Sequence, residues 1–254
     1  MDGVLSQEEI NALLNNNDAA DSSDEILTES EKDAIGEIAN ISMGTAATTL
    51  FSLVNRRVEI STPVVSFSNW DKIVDEYEKP CVFIKIGYTQ GLNGSNILVL
   101  KEKDVKIITD LMMGGDGTNI NGEIGELHLS AISEAMNQMM GSSATSLSSM
   151  LNRTIDISPP IAEVVDLKNT LNEGEIDSFL SEEFVKISFH MEIGDLVDSE
   201  IMQLYPPAFV KEMCKGVSQN MELDTQSVTE DVPQSSNTAT QAAPIQQPQD
   251  VYSM

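Results

Sequence analysis

Basic side chains are scarce in this chain. Fourteen Lys and Arg stand against 41 Asp and Glu, a formal charge of −27 over 254 residues. Such a surface repels phosphates, which argues strongly against nucleic acid as a partner and disfavours anionic membrane surfaces. A protein with a cationic binding face suits it better. Cysteine is nearly absent. Cys81 and Cys214 lie far apart with no C-x-x-C spacing, which argues for a reducing compartment and against a disulfide frame or zinc knuckle. The two histidines, His128 and His190, have no neighbours at ligand spacing and read as structural. Long apolar runs are missing too. Cys81–Ile86 and Ile97–Leu100 are strand-length, well short of the ~20 residues needed to cross a bilayer. Met1-Asp2-Gly3 does not open a signal peptide. The expectation is a soluble, cytoplasmic protein.

What is present divides the chain into four zones. Residues 1–15 contain a short amphipathic helix, with a Ser6/Glu9 capping box and an apolar stripe of Ile10, Leu13 and Leu14. Residues 16–27 are an acidic linker. A short helix on a polar tether has no core to join, so it reads as a docking peptide that offers its stripe to a partner groove. Residues 28–216 carry the globular pattern. Thr28 and Glu31 form a second capping box before a helix reaching about Val54. Strands are predicted at 58–66, 81–88, 95–100, 154–157, 184–193 and 199–204. Further helices are predicted at 103–113, 125–151 and 206–215. Gly114-Gly115-Asp116-Gly117 lacks the Gly-Lys-Ser/Thr of a phosphate loop and reads as a turn. Residues 217–254 turn to Gln, Ser, Thr and Pro without apolar periodicity, a tail or linker composition.

The second half of the globular zone repeats the first. Between 33 and 63, fifteen of thirty-one positions are identical to those 97 residues later, among them Glu37/Glu134, Asn40/Asn137, Gly44/Gly141, Asn55/Asn152 and Pro63/Pro160. The match returns at an offset of 104, where Ser95-Asn96-Ile97 answers Ser199-Glu200-Ile201. The duplication predicts an α+β domain in which two long helices pack on an antiparallel sheet about a pseudo-twofold axis.

Asp33, Glu37, Asn40 and Gly44 are spaced i, i+4, i+7 and i+11, and at about 100° per residue they share one helix stripe. Ser130, Glu134, Asn137 and Gly141 occupy the same places in the second half. Ile35, Ile38 and Leu53 mark the apolar side of one helix, with Ile132, Ala135, Met136, Met139 and Met140 on the other. A polar stripe is ordinarily a solvated face. Here, however, each copy keeps an Asn, whose amide competes for backbone bonds, and a Gly that costs about 1 kcal/mol against Ala. Both poor choices recur while neighbours diverge. A Gly beside the stripe also lets another protein approach closely.

The pattern Asp/Ser-x3-Glu-x2-Asn-x22-Pro thus occurs twice, ending at Pro63 and Pro160. It resembles the signature of the CheC/CheX/FliY family of CheY-phosphate phosphatases. Leu5-Ser6-Gln7-Glu8-Glu9-Ile10-Asn11-Ala12-Leu13-Leu14 resembles the peptide with which flagellar switch proteins bind phosphorylated CheY. Stand-alone members lack that peptide, so the combination implies the motor-switch branch, whose members normally continue into a FliN-like domain; the expectation is a form without it. The resemblance implies a protein aspartyl-phosphate phosphatase. Asn40 and Asn137 would orient the attacking water, and Glu37 and Glu134 would pair with a lysine of the receiver domain. Asp33 and Ser130 would be secondary contacts, Leu5, Ser6, Ile10, Leu13 and Leu14 partner contacts, and Pro63 and Pro160 structural members of the signature. No metal site or cofactor of its own is implied, since the receiver domain supplies Mg²⁺. The implied partners are phosphorylated CheY and switch proteins of the FliM, FliG and FliN type, at the cytoplasmic face of the membrane in the flagellar basal body. Two other readings compete: a non-catalytic switch scaffold that only binds phosphorylated CheY, and a duplicated interaction domain with solvated helix faces.

Deleting residues 1–15 should raise KM for phosphorylated CheY and leave kcat unchanged. Steady-state phosphate release checks this, and an equal loss of rate at saturating substrate contradicts the docking role.

Overall fold

The computed structural model describes residues 26–77, 80–167, 174 and 176–227. The amphipathic peptide, most of the acidic linker and the last 27 residues lie outside them. The elements in chain order are α1 (Glu29–Val54), β1 (Val58–Ile60), β2 (Val64–Ser68), α2 (Trp70–Glu76), β3 (Cys81–Gln90), β4 (Gly94–Lys101), α3 (Glu102–Met112) and α4 (Glu126–Leu151). There follow β5 (Asp156–Ile157), β6 (Ile161–Val165), a 3-10 turn (Ser178–Ser181), β7 (Phe184–Ile193), β8 (Val197–Tyr205) and α5 (Pro207–Ser227). Among the described residues no helix is long and apolar enough to cross a membrane.

The two long helices begin and end as their residues dictate. At the start of α1 the Thr28 side chain accepts from the Glu31 N–H at 3.2 Å, and the Glu31 carboxylate takes the Thr28 N–H at 2.9 Å, which satisfies two orphan donors. At the start of α4, His128 Nδ1 accepts the Gly125 N–H at 3.2 Å. Both helices stop at an asparagine in the left-handed region, Asn55 at φ 49° and Asn152 at φ 47°. Asn tolerates that conformation, and its N–H closes back on the last turn.

The sheet is antiparallel throughout, in the order β1-β7-β8-β4-β3-β5, with β2 also on β7 and β6 also on β3. Each half therefore lends its first two strands to the other half's third strand. The pseudo-twofold axis passes through the centre, between β4 and β8. There Leu98 pairs with Gln203 and Val99 with Met202, and the 104-residue offset carries one pair onto the other.

Both long helices lie on one face of the sheet and pack against each other, flanked by α3 and α5. Their apolar stripes, including Ile35, Met43 and Leu50 on α1 and Ile132, Met139 and Leu147 on α4, close over Val82, Ile84, Val185 and Ile187 of the sheet. Full burial of each such side chain stabilises the fold by about 1.5–3 kcal/mol. On the opposite face, α2 and the 3-10 turn cover a smaller cluster around Phe83, Val99, Phe184 and Leu204. At the axis Gln203 Nε2 lies 3.2 Å from Met43 Sδ and 3.9 Å from Met140 Sδ, two methionines that the repeat makes equivalent. Its Oε1 accepts the Tyr205 hydroxyl at 3.0 Å. One amide thus ties both helices to the central strands.

Four local features depart from expectation. The predicted strand at 58–66 is two strands, broken by Pro63, which cannot donate to a ladder. Helix α2 forms because Asn69 caps it, accepting from the Lys72 N–H at 3.0 Å, and because Trp70 and Ile73 are buried. Strand β6 forms by pairing with β3, although its sequence has little alternation. Helix α5 continues to Ser227 rather than stopping at Lys215.

Gln203→Ala should cost about 2–3 kcal/mol, since it opens a cavity at the axis and leaves the buried Tyr205 hydroxyl without its acceptor. Urea denaturation checks this, and a loss below about 0.5 kcal/mol contradicts the central tie.

Candidate functional site

Helix α1 presents Asp33, Glu37 and Asn40 to solvent. Helix α4 presents Ser130 and Glu134 the same way, with Asn137 half-buried. The opposite sides of both helices are committed to the core, which holds these stripes outward. Each patch is thus assembled from a single rigid helix, its residues on the stripe that the spacing predicts, with Asn137 less exposed than Asn40.

Pro63 is more than a spacer. The loop from β1 to β2 returns beneath α1, and Asp33, Glu37, Asn40 and Pro63 line one groove with Gly36, Thr62, Val64 and Val65. The approach is not a tight one, since a Cβ at Gly36 would meet the Val65 side chain at 3.7 Å, an ordinary contact. The strand that follows each signature proline opens on an exposed apolar residue, Val64 at 65% and Ile161 at 69%. The spacing alone gave no sign of these two. They lie after the motif, on strands whose pairing partners come from the other half of the chain.

The glycines of the two stripes have no packing duty. A Cβ built at Gly44 or at Gly141 meets nothing within 4 Å. These two mid-helix glycines weaken their helices, and a side chain at either would project into open space.

The patches differ electrostatically, beyond the change from Asp33 to Ser130. Glu134 Oε1 accepts the Gln138 side-chain amide at 2.7 Å. Position 41, equivalent to Gln138, is an isoleucine, and among the described residues no side chain holds the Glu37 carboxylate. Lys32, at the mouth of the first groove, pairs with Glu29 and lies 5.2 Å from the centre of the Phe67 ring. Its counterpart in α4 is Leu129.

Among the described residues no three His, Cys, Asp or Glu side chains converge as a metal set. His128 serves as a helix cap. His190 is not the lone residue its sequence neighbours suggest, since its Nε2 lies 3.1 Å from Glu192 and 3.5 Å from Asp198. Glu192 is its i+2 neighbour on the same face of β7, and Asp198 is brought near by the β7–β8 hairpin. Both cysteines are buried, and burial pushes each thiol up to about 11, which makes them poor nucleophiles. The predicted partner contacts Leu5, Ser6, Ile10, Leu13 and Leu14 lie outside the described residues.

With this geometry in hand, the comparisons with known proteins are specific. The CheC-like family matches at residues 31–67 and 127–164, the two helix-to-proline segments. The crystal structure of Thermotoga maritima FliY superposes with a TM-score of 0.71 at 40% identity, covering 77% of this chain and 99% of that one. The chain belongs to the CheC-like family. It is 47% identical over 218 residues to the flagellar motor switch phosphatase FliY of Bacillus subtilis, covering 84% of this chain. It spans 57% of that relative's length. It is also 24% identical over 143 residues to the CheY-P phosphatase CheC of the same organism, covering 54% of this chain and 67% of that one.

Gly44→Ala and Gly141→Ala should each stabilise the fold by about 0.5–1 kcal/mol, visible as a higher Tm. A lower Tm would show that the glycines serve internal packing after all.

Proposed function

We propose that this chain hydrolyses the aspartyl phosphate of phosphorylated CheY, and that it does so at the flagellar motor switch, on the cytoplasmic face of the membrane. The observation that carries this reading is the pair of outward Glu–Asn patches, one on each long helix, each with an unobstructed glycine one turn beyond the amide. Similarity to a motor switch phosphatase and to a CheY-P phosphatase agrees with it. Other switch proteins are its expected neighbours there.

The chemistry asks little of the helix. An aspartyl phosphate is an activated acyl phosphate, and the receiver domain that bears it supplies the Mg²⁺ and a cationic side chain. What is missing is a water held in line with the scissile P–O bond, and positioning dominates phosphoryl transfer. An asparagine side chain can accept from and donate to that water without titrating. Asn40 and Asn137 take this role. Glu37 and Glu134 stand one turn earlier on the same stripe, where each pairs with the receiver's cation and so sets the amide over the phosphorus. Asp33 and Ser130, another turn back, contact the docked domain at the edge of each patch.

The docked surface also excludes bulk water, which strengthens these contacts. A gain of about 10²-fold needs only about 2.7 kcal/mol, within the range of one hydrogen bond made in the transition state. The water attacks phosphorus, the P–O bond to the aspartyl carboxylate breaks, and inorganic phosphate leaves with the carboxylate regenerated. No residue of this chain becomes phosphorylated.

Asn40→Ala combined with Asn137→Ala should bring phosphate release down to the self-hydrolysis rate of CheY, a loss on the order of 10²-fold. The variant should still bind phosphorylated CheY. If it keeps full activity, the amides do not place the water and the scaffold reading takes over.

A further inference from the structure

The two patches share one signature but not one set of surroundings. The stripe on α1 continues beyond Gly44 to Phe51, eighteen residues and about five turns after Asp33. Phe51 is 48% exposed, and Ile41, next to Asn40 in sequence, is 42% exposed. The equivalent positions on α4 are Ser148 and Gln138. Ser148 turns its hydroxyl inward, donating to the Ala144 carbonyl at 2.8 Å and accepting the Ile155 N–H at 2.9 Å. Gln138 is occupied with Glu134. Only the first patch, then, has an exposed aromatic on its own stripe.

That aromatic closes a groove. Gly44, Ala47, Thr48, Phe51, Val58 and Ile60 line it, and Ser61 at its near end adjoins Thr62 of the groove that holds Asn40 and Pro63. The two depressions are consecutive along the seam between α1 and the β1–β2 segment. Glu59, His190 and Glu192 also line it, with Glu59 paired to Arg57 and Glu192 lying 3.1 Å from His190. The apolar wall of Ala47, Phe51, Val58 and Ile60 suits an apolar side chain on the face of a protein docked over Asn40.

Resting on the function proposed above, we propose that the first patch is the principal docking site for phosphorylated CheY, which seats an apolar side chain in this groove against Phe51. The second patch carries the same reactive pair without the anchor. The scale fits. A protein interface of about 800 Å² per partner is a disc roughly 16 Å in radius, and Phe51 lies about 16 Å along the helix from Asn40. One docked domain therefore reaches both.

The test isolates each patch. Asn137→Ala leaves only the first patch working and Asn40→Ala only the second. In the first-patch enzyme, Phe51→Ser, which installs the residue of the other half, should raise KM for phosphorylated CheY about tenfold, the effect of losing one well-packed aromatic contact, with kcat unchanged. Phe51→Leu should restore most of the affinity. In the second-patch enzyme, Phe51→Ser should change neither constant. An unchanged KM in the first-patch enzyme overturns the proposal, as does an equal effect on both enzymes. A lowered KM also overturns it, since the groove would then be filled by another part of this chain. Failure of the underlying function reads differently, as full activity in the Asn40→Ala, Asn137→Ala double variant.

Discussion

Helix α1 packs against helix α4 across the pseudo-twofold axis, and each is clamped to the sheet by an apolar stripe that includes Met43 and Leu50 on one and Met140 and Leu147 on the other. A helix buried along one side can rotate very little, because rotation would expose those side chains at about 1.5–3 kcal/mol each. That constraint fixes the direction of everything on the opposite side. Glu37 with Asn40, and Glu134 with Asn137, face outward because no other orientation keeps the core closed. Contacts across the helix pair reinforce the alignment: the Thr49 hydroxyl donates to the Ser142 hydroxyl at 2.8 Å, and Gln203 reaches both axial methionines from below.

A site built on single helices has functional consequences. Both reactive side chains of a patch come from a single turn of backbone, so their mutual geometry is set by helical spacing and not by loop conformation. Such a surface can supply a carboxylate and an amide at fixed separation, but it cannot enclose a substrate. On the function proposed above, the other protein brings the phosphate, the metal and the far wall of the site. The open glycines fit this division of labour, since a side chain at Gly44 or Gly141 would project toward whatever docks.

Much of this was legible in the sequence. The 97-residue repeat foretold the pseudo-twofold axis, the Thr28/Glu31 pair foretold the start of α1, and the Glu–x2–Asn spacing foretold a shared outer stripe. These are local or periodic signals. What the sequence hid was set by non-local pairing. Nothing in 58–68 or 156–165 shows that each half would lend its strands to the other, because strand partners are chosen by the whole sheet. The groove wall at Pro63 and the exposed Val64 follow from that exchange and were hidden with it. Helix α2 has an Asn cap but is only seven residues long, too short for a periodic signal and held by the burial of Trp70 and Ile73. Phe51 was visible as a residue but not as an anchor, since only the folded seam shows what it closes.

The central claim is that both Glu–Asn patches meet the receiver domain directly, amide first. Side-chain amide NMR on the ¹⁵N-labelled chain reads this contact at each asparagine. On titration with CheY held in its phosphorylated form by a phosphate-mimicking fluoride complex, the amide signals of Asn40 and Asn137 should shift and become protected from solvent exchange, while those of exposed Asn93 and Asn119 stay in place. Unmoved Asn40 and Asn137 signals in a saturated complex would contradict the account.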